Sequence, residues 1–194
     1  PLEGNHYKNS LSEVLELAID DMLAKGLTGG HTDDLFYFGH YHNPLTAFRH
    51  IVGVKKHFRV NLLIHHGVFE EVKQANALID DSFIEPGAMK LFVDGALGNS
   101  TAALTEPYAD QPDHKGLFMH TPEQIEESVK LARQYHEAVA VHVIGDAAVE
   151  QILHVIEKYP PPKGKRDRLI HCCVLRPELI ERMAQLPVVA DIQP

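Results

Sequence analysis

A chain of 194 residues, 44% hydrophobic and 23% charged, is long enough to bury one sizeable core and has the make-up of a soluble globular protein. Its formal net charge of −9 argues against nucleic acid and anionic membranes as partners, and it contains no run of about 18 apolar residues that could span a bilayer. The opening Pro1-Leu2-Glu3-Gly4 has neither the basic nor the apolar region of a secretory signal and no starting Met, so a cut-down chain is expected.

From the N-terminus, Ser10-Leu11-Ser12-Glu13 reads as a capping box. Leu11, Val14, Leu15, Ala18, Met22 and Leu23 then keep helical spacing up to a stop at Gly26. A short strand is expected over 27–32, an aromatic loop over 33–42, a helix over 45–56 and a buried strand over 58–64. A helix over 68–79 and an apolar strand over 88–93 follow. The next connection, 94–116, is rich in Gly, Pro, Asp and Asn. A loop that long inside a compact domain is usually functional or disordered.

Thr121-Pro122-Glu123-Gln124 combines a cap, a Pro at the first helical position and a Gln at the third, so a helix opens there. A strand over 138–144 leads to a helix capped by Asp146 and running to about Tyr159. Pro160-Pro161-Pro162 and Gly164 break the chain. A strand over 169–174, a helix over 177–186 and a last strand over 188–192 complete the pattern.

Strands with continuous apolar runs, alternating with helices, argue for an α/β fold with a parallel sheet. A doubly wound sheet and a (β/α)8 TIM barrel both fit. No glycine-rich phosphate fingerprint follows the first strand, which weakens the dinucleotide-binding version. A full barrel takes about 250 residues and eight strands. The barrel reading is therefore a partial one, of about six β/α units, with both sheet edges open and self-association into a homo-oligomer expected.

Three strands each carry one polar residue among apolar neighbours: Lys90, His142 and His171. Side chains near the carboxyl ends of parallel strands point into the site of such folds. Burying an unpaired Lys or His costs on the order of 2–5 kcal/mol, so their recurrence in successive strands points to ligands converging on one centre. Neutral imidazole is a good zinc ligand. Lysine becomes one if its amine carries CO2 as a carbamate. Taken singly, each residue also has a bland reading, as a satisfied core histidine or as a partner of Asp94.

Asp94 and Asp146 follow apolar strands and are candidate catalytic carboxylates, although Asp146 also suits a helix cap. His65-His66-Gly67 lies at a strand end, where it could face the site, but it reads better as a polar strand exit. His40 and His42 lie two apart but in an aromatic loop. Tyr108 could contact a substrate or pack its loop down. Cys172 and Cys173 read as small buried fillers; as neighbours they rarely bridge, and a reducing cytoplasm fits them.

The stretches Lys90-Leu91-Phe92-Val93-Asp94-Gly95-Ala96-Leu97-Gly98, Thr101-Ala102-Ala103-Leu104 and Pro107-Tyr108-Ala109-Asp110 resemble the YtcJ-like branch of the amidohydrolase superfamily. So do 141–149, Arg168-Leu169-Ile170-His171, Arg176-Pro177 and Ile192-Gln193-Pro194. The resemblance implies a barrel with a divalent metal at the strand ends, zinc by expectation and one or two ions in number. It implies that Lys90, carbamylated, and His142 and His171 are metal ligands. The family's His-x-His pair on the first strand and its Asp on the last are not present. The resemblance thus implies one fragment over 1–194, strands two to seven of the catalytic barrel, inactive by itself.

The implied activity is hydrolysis of an amide or other non-peptide C–N bond of a small molecule through metal-activated water. A non-catalytic binding or regulatory protein on the same barrel is the alternative. Three positions depart from the family pattern: Ile170 stands where Glu is usual, Ser100 where Arg is usual, and His136 where Gly is usual.

Overall fold

The computed structural model describes residues 5–79 and 81–193. Among the described residues six α-helices alternate with six strands: α1 (Asn5–Ala24), β1 (Gly29–Thr32), α2 (His42–Ile51), β2 (Arg59–His65), α3 (Phe69–Gln74), β3 (Ile84–Phe92), α4 (Pro122–Gln134), β4 (Val139–Val143), α5 (Asp146–Lys158), β5 (Asp167–His171), α6 (Pro177–Ala184) and β6 (Val188–Asp191). The strands form one parallel sheet in the order β1-β2-β3-β4-β5-β6, with each neighbour in space also the neighbour in sequence. That is the topology of consecutive units of a (β/α)8 barrel. A doubly wound sheet would reverse its strand order at a switch point, and this order does not reverse. Pro1–Leu2–Glu3–Gly4 and Pro194 lie outside the described residues. Among the described residues no helix is long and apolar enough to cross a membrane.

The chain divides into two compact units, Pro1–Ala88 and Met89–Pro194, with the boundary inside β3. In the first, β1 pairs with β2 from Gly29↔Arg59 to Thr32↔Leu62. Its core holds Ile19, Leu45, Ile51, Leu62, Ile64 and Phe69, all 1% exposed or less.

In the second unit, β3 pairs with β4, β4 with β5 and β5 with β6. Val139, Ala140, Val141 and Val143 are fully buried, as a strand covered on both faces requires. The inward faces of α4 (Ile125, Val129, Ala132) and α5 (Ala148, Val149, Ile152, Ile156) complete that core. Each Val or Ile so buried contributes on the order of 1.5–3 kcal/mol.

Element boundaries depart from expectation for local reasons. α1 begins at Asn5, so Ser10-Leu11-Ser12-Glu13 lies inside the helix and does not start it. α2 ends at Ile51, where Val52 turns extended. α3 stops at Gln74 because Asn76 adopts φ +46°, and Ala77 N–H donates to the Val72 carbonyl across the turn. Asn is, after Gly, the residue that most readily takes that left-handed position. β3 starts at Ile84, four residues before the expected start at Ala88, and runs through Pro86 and Gly87. The capping box at Thr121 and Gln124 forms as expected.

Candidate metal centre

Strand register places Lys90 and His142 on one face. Lys90 pairs with Ala140 and Phe92 with His142, and side chains two apart on a strand share a face. His171 should not join them, because His142 pairs with Ile170 and Val143 with His171. Strict alternation would send the His171 ring to the opposite face. Instead the backbone leaves the pleat: His171 has φ +85° and Cys172 φ +49°. The amides of Cys172 and Val174 still reach back to the carbonyls of Val143 and Ile144, at 2.9 and 3.0 Å.

The result is that the His142 and His171 rings stand edge to face, 4.7 Å between centroids at 72°. Left-handed backbone at a non-glycine residue costs on the order of 1–3 kcal/mol and persists where surrounding structure imposes it, often at functional sites.

Lys90 is only 6% exposed. Its Nζ lies 4.1 Å from the centroid of the Phe92 ring and donates to the Leu91 carbonyl at 3.3 Å. Burial holds the His142 imidazole below the usual histidine range, and the charges of Lys90 and His171 add to this. The Gly95 carbonyl and Asp94 act the other way. The net effect favours the neutral ring, the form that binds metal.

Hydrogen bonding then fixes which nitrogen carries the proton. His142 Nε2 lies 2.8 Å from the Gly95 carbonyl, which can only accept. Nε2 therefore bears the hydrogen and Nδ1 presents a lone pair. His171 Nδ1 lies 2.7 Å from Gln193 Oε1, so Nδ1 is committed there and Nε2 is the ring nitrogen left to face a metal. A ring N–H given to a carbonyl acceptor while the other nitrogen stays open is the usual support of a metal-binding histidine.

This donor set fits a divalent cation of borderline character such as zinc. Among the described residues no three His, Cys, Asp or Glu side chains are grouped so that they could hold a metal. The set reaches three donors only with Lys90.

The two carboxylates expected to be catalytic are tied to backbone. Asp94 is fully buried and accepts from the amides of Ala103 (2.9 Å), Ile144 (2.9 Å) and Gly145 (2.8 Å). Its Oδ1 is also 4.0 Å from His142 Nε2. Asp146 is not the cap of α5, because that position is Gly145. Its carboxylate instead accepts from the Thr105 amide at 2.9 Å and pairs with Arg176 at 3.0 Å. Both thus anchor the long connection 94–116 to the start of α5.

Small residues explain the anchoring. Ala102 and Ala103 are buried, and a Cβ added at Gly145 would run into the Ala103 carbonyl. Tyr108 donates to the Ala102 carbonyl at 2.9 Å, so it packs the loop down. His114 reaches the Ser100 carbonyl at 2.6 Å, and the Ser100 hydroxyl accepts from Gln111 at 3.0 Å.

The remaining sequence candidates sit elsewhere. His65 is buried, stacked 4.0 Å from Phe36, with Nδ1 accepting the Gly67 amide. His40 and His42 stack at 4.7 Å, and His40 pairs with Glu71 at 3.0 Å. Cys172 is buried, but Cys173 is exposed, so only the first is a filler. The ring acceptor Gln193 carried no role in the sequence reading. Its signals were its place directly after the last apolar strand and within Ile192-Gln193-Pro194, one of the stretches that carry the resemblance.

The family model described as the amidohydrolase family matches residues 8–194. A protein of Bacillus subtilis (strain 168) named "Putative amidohydrolase YtcJ" is 45% identical over 195 residues, covering all of this chain and 36% of its own length. Protein LONG AFTER FAR-RED 3 of Arabidopsis thaliana is 37% identical over 111 residues, 56% of this chain and 19% of its own. Two crystal structures of uncharacterized metal-dependent hydrolases superpose well. The one from Pyrococcus horikoshii OT3 has a TM-score of 0.84 at 25% identity, covering 96% of this chain and 37% of that one. The one from Pyrococcus furiosus has a TM-score of 0.80 at 26% identity, covering 92% and 37%. This chain spans roughly a third of the length of the Bacillus relative and of either Pyrococcus protein. With a family match over nearly its whole length, the chain belongs to the amidohydrolase family.

Proposed function

We propose that this chain contributes Lys90, His142 and His171 to the divalent-metal centre of a hydrolase that cleaves an amide or other non-peptide C–N bond of a small molecule. The observation that carries the reading is the pairing of two imidazoles 4.7 Å apart, each with one nitrogen committed to an oxygen acceptor. Family membership and the metal-dependent hydrolases among its structural neighbours support it.

His142 would donate through Nδ1 and His171 through Nε2. Lys90 would join them as the carbamate formed when its neutral amine takes up CO2 and releases a proton, which turns a repelling ammonium into an anionic oxygen donor. A divalent cation held there, zinc by the chemistry of these donors, supplies Lewis acidity that polarises a carbonyl and makes water a nucleophile near neutral pH. Asp94 and Asp146 hold the connection that borders the site. A cytoplasmic setting belongs to the same proposal, since both thiols are free.

A binding protein without turnover is the second reading. It is favoured by Ile170, which pairs with His142 in the sheet and brings no carboxylate to the ring.

The test is zinc content after exhaustive dialysis, measured for the full-length protein that carries this chain and for its His142→Ala, His171→Ala and double variants. The double variant should lose most of its metal. Undiminished metal in it sinks the proposal. Turnover of N-acyl amino acids or formamides by the zinc-loaded full-length protein that carries this chain separates the hydrolase from the binding protein.

A further inference from the structure

We infer that Asp94 is a positioning residue that fixes the proton of His142 on Nε2, acting through the Gly95 carbonyl. Only its consequence for metal affinity rests on the metal reading above.

The sheet alone does not orient that carbonyl, because β3 ends at Phe92 and Gly95 already belongs to the connection. Two devices hold it. The Asp94 carboxylate bridges the connection, at the Ala103 amide, to the end of β4, at the amides of Ile144 and Gly145. The Thr101 hydroxyl accepts from the Ala96 amide at 2.9 Å, and the Gly95 amide donates to the Thr101 carbonyl at 3.2 Å.

Gly95 is therefore pinned on both sides, and its carbonyl stands 2.8 Å from His142 Nε2. The carboxylate reaches the two residues that follow the β4 strand carrying His142 and the connection that carries Gly95. A movement of either would separate donor from acceptor. Three backbone amides converge on a fully buried charge, and three charge-assisted hydrogen bonds make a stiff joint. An Asn at this position offers one acceptor oxygen, and its amide group opposes an N–H, so the joint opens on one side.

The experiment reads the histidine directly. Protein labelled with 15N-histidine is examined by long-range 1H–15N correlation without metal, His142 being assigned by its loss in His142→Gln. The expected result is one neutral form with the proton on Nε2, protected from solvent exchange. In Asp94→Asn and in Thr101→Val, judged folded by circular dichroism, that proton should exchange freely, and zinc affinity should fall about 10- to 100-fold.

A merely structural Asp94 would lower the melting temperature and leave the proton protected, which overturns the inference. A wild-type His142 protonated on Nδ1 overturns it as well. If Asp94→Asn does not fold, Gly145→Ala decides in its place, since its Cβ displaces the Ala103 and Gly145 amides that the carboxylate holds, and a protected Nε2 proton in it overturns the inference. Proton control by Asp94 together with no zinc uptake by the wild type supports this inference and sinks the metal reading instead.

Discussion

His142 and His171 meet edge to face although the sheet pairs His142 with Ile170, and what brings the second ring round is a left-handed backbone at His171 and Cys172. The residue that departs from the strand is the candidate ligand itself. The same departure separates the two cysteines: Cys172 turns inward, 5% exposed, and Cys173 outward.

Thiol reactivity reports on that turn. Burial pushes the Cys172 thiol up to about 12, with the neighbouring Cys173, Asp191 and Asp94 adding to the effect, so it holds almost no thiolate at neutral pH. Cys173 is exposed. Iodoacetamide at neutral pH should therefore alkylate the native protein once, on Cys173, as read by peptide mass spectrometry. Comparable labelling of both thiols before unfolding would show that the turn is not held.

A second prediction concerns the end of α4. His136 has φ +55° and closes the helix, its amide donating to the Arg133 carbonyl and that of Glu137 to the Ala132 carbonyl. Left-handed backbone costs an L-residue roughly 1–2 kcal/mol, while glycine loses about 0.5–1 kcal/mol of unfolded-state freedom. His136 is exposed, so little packing is lost. His136→Gly should raise stability by about 0.5–1 kcal/mol in urea titration, and His136→Ala should not.

Much of the fold was legible because its signals are local. Apolar runs of the length of 139–143 mark buried strands, and Thr121-Pro122-Glu123-Gln124 marks a helix start. The three polar residues in apolar strands were legible for the same reason. The roles of Asp94 and Asp146 were not, because their partners Ile144, Gly145, Thr105 and Arg176 lie far along the chain. The acceptor of His142 is a backbone carbonyl, which no side chain announces. Strand alternation, applied faithfully, would even have put His171 on the wrong face.

The α4–α5 side of the protein should be acid-sensitive in a defined way. Glu126 takes hydrogen bonds from Lys130 and from Lys158 (2.9 Å) and Tyr159 (2.9 Å), which bring its carboxyl down to about 2. Its folded value lies below its unfolded one, so its contribution is present above about pH 4.5 and is lost as the pH falls toward 2. The difference in melting temperature between wild type and Glu126→Gln should be largest near pH 6 and shrink steadily on acidification. The group is solvated, so the effect should also weaken with salt. A difference that is flat from pH 6 to pH 3 would contradict the assignment.

The anchoring of the connection 94–116 predicts the sharpest contrast between two glycines. At Gly145 an added Cβ would meet the carbonyl oxygen, carbonyl carbon and amide nitrogen of Ala103, all backbone atoms that cannot swing aside. Ala103 is held there by the Asp94 carboxylate, and its carbonyl accepts the Ala147 amide. Gly145→Ala must therefore move either the loop or the start of α5, at a cost of about 3 kcal/mol, toward the upper end for an overpacked site. At Gly98, in the same connection, an added Cβ meets nothing within 4 Å, so Gly98→Ala should change stability by less than about 0.5 kcal/mol. Because the displaced segment also sets the Gly95 carbonyl, Gly145→Ala should expose the Nε2 proton of His142 to exchange and Gly98→Ala should not. Equal stabilities for the two variants would mean that the connection is not clamped against α5, and the account of Asp94 would fail with it.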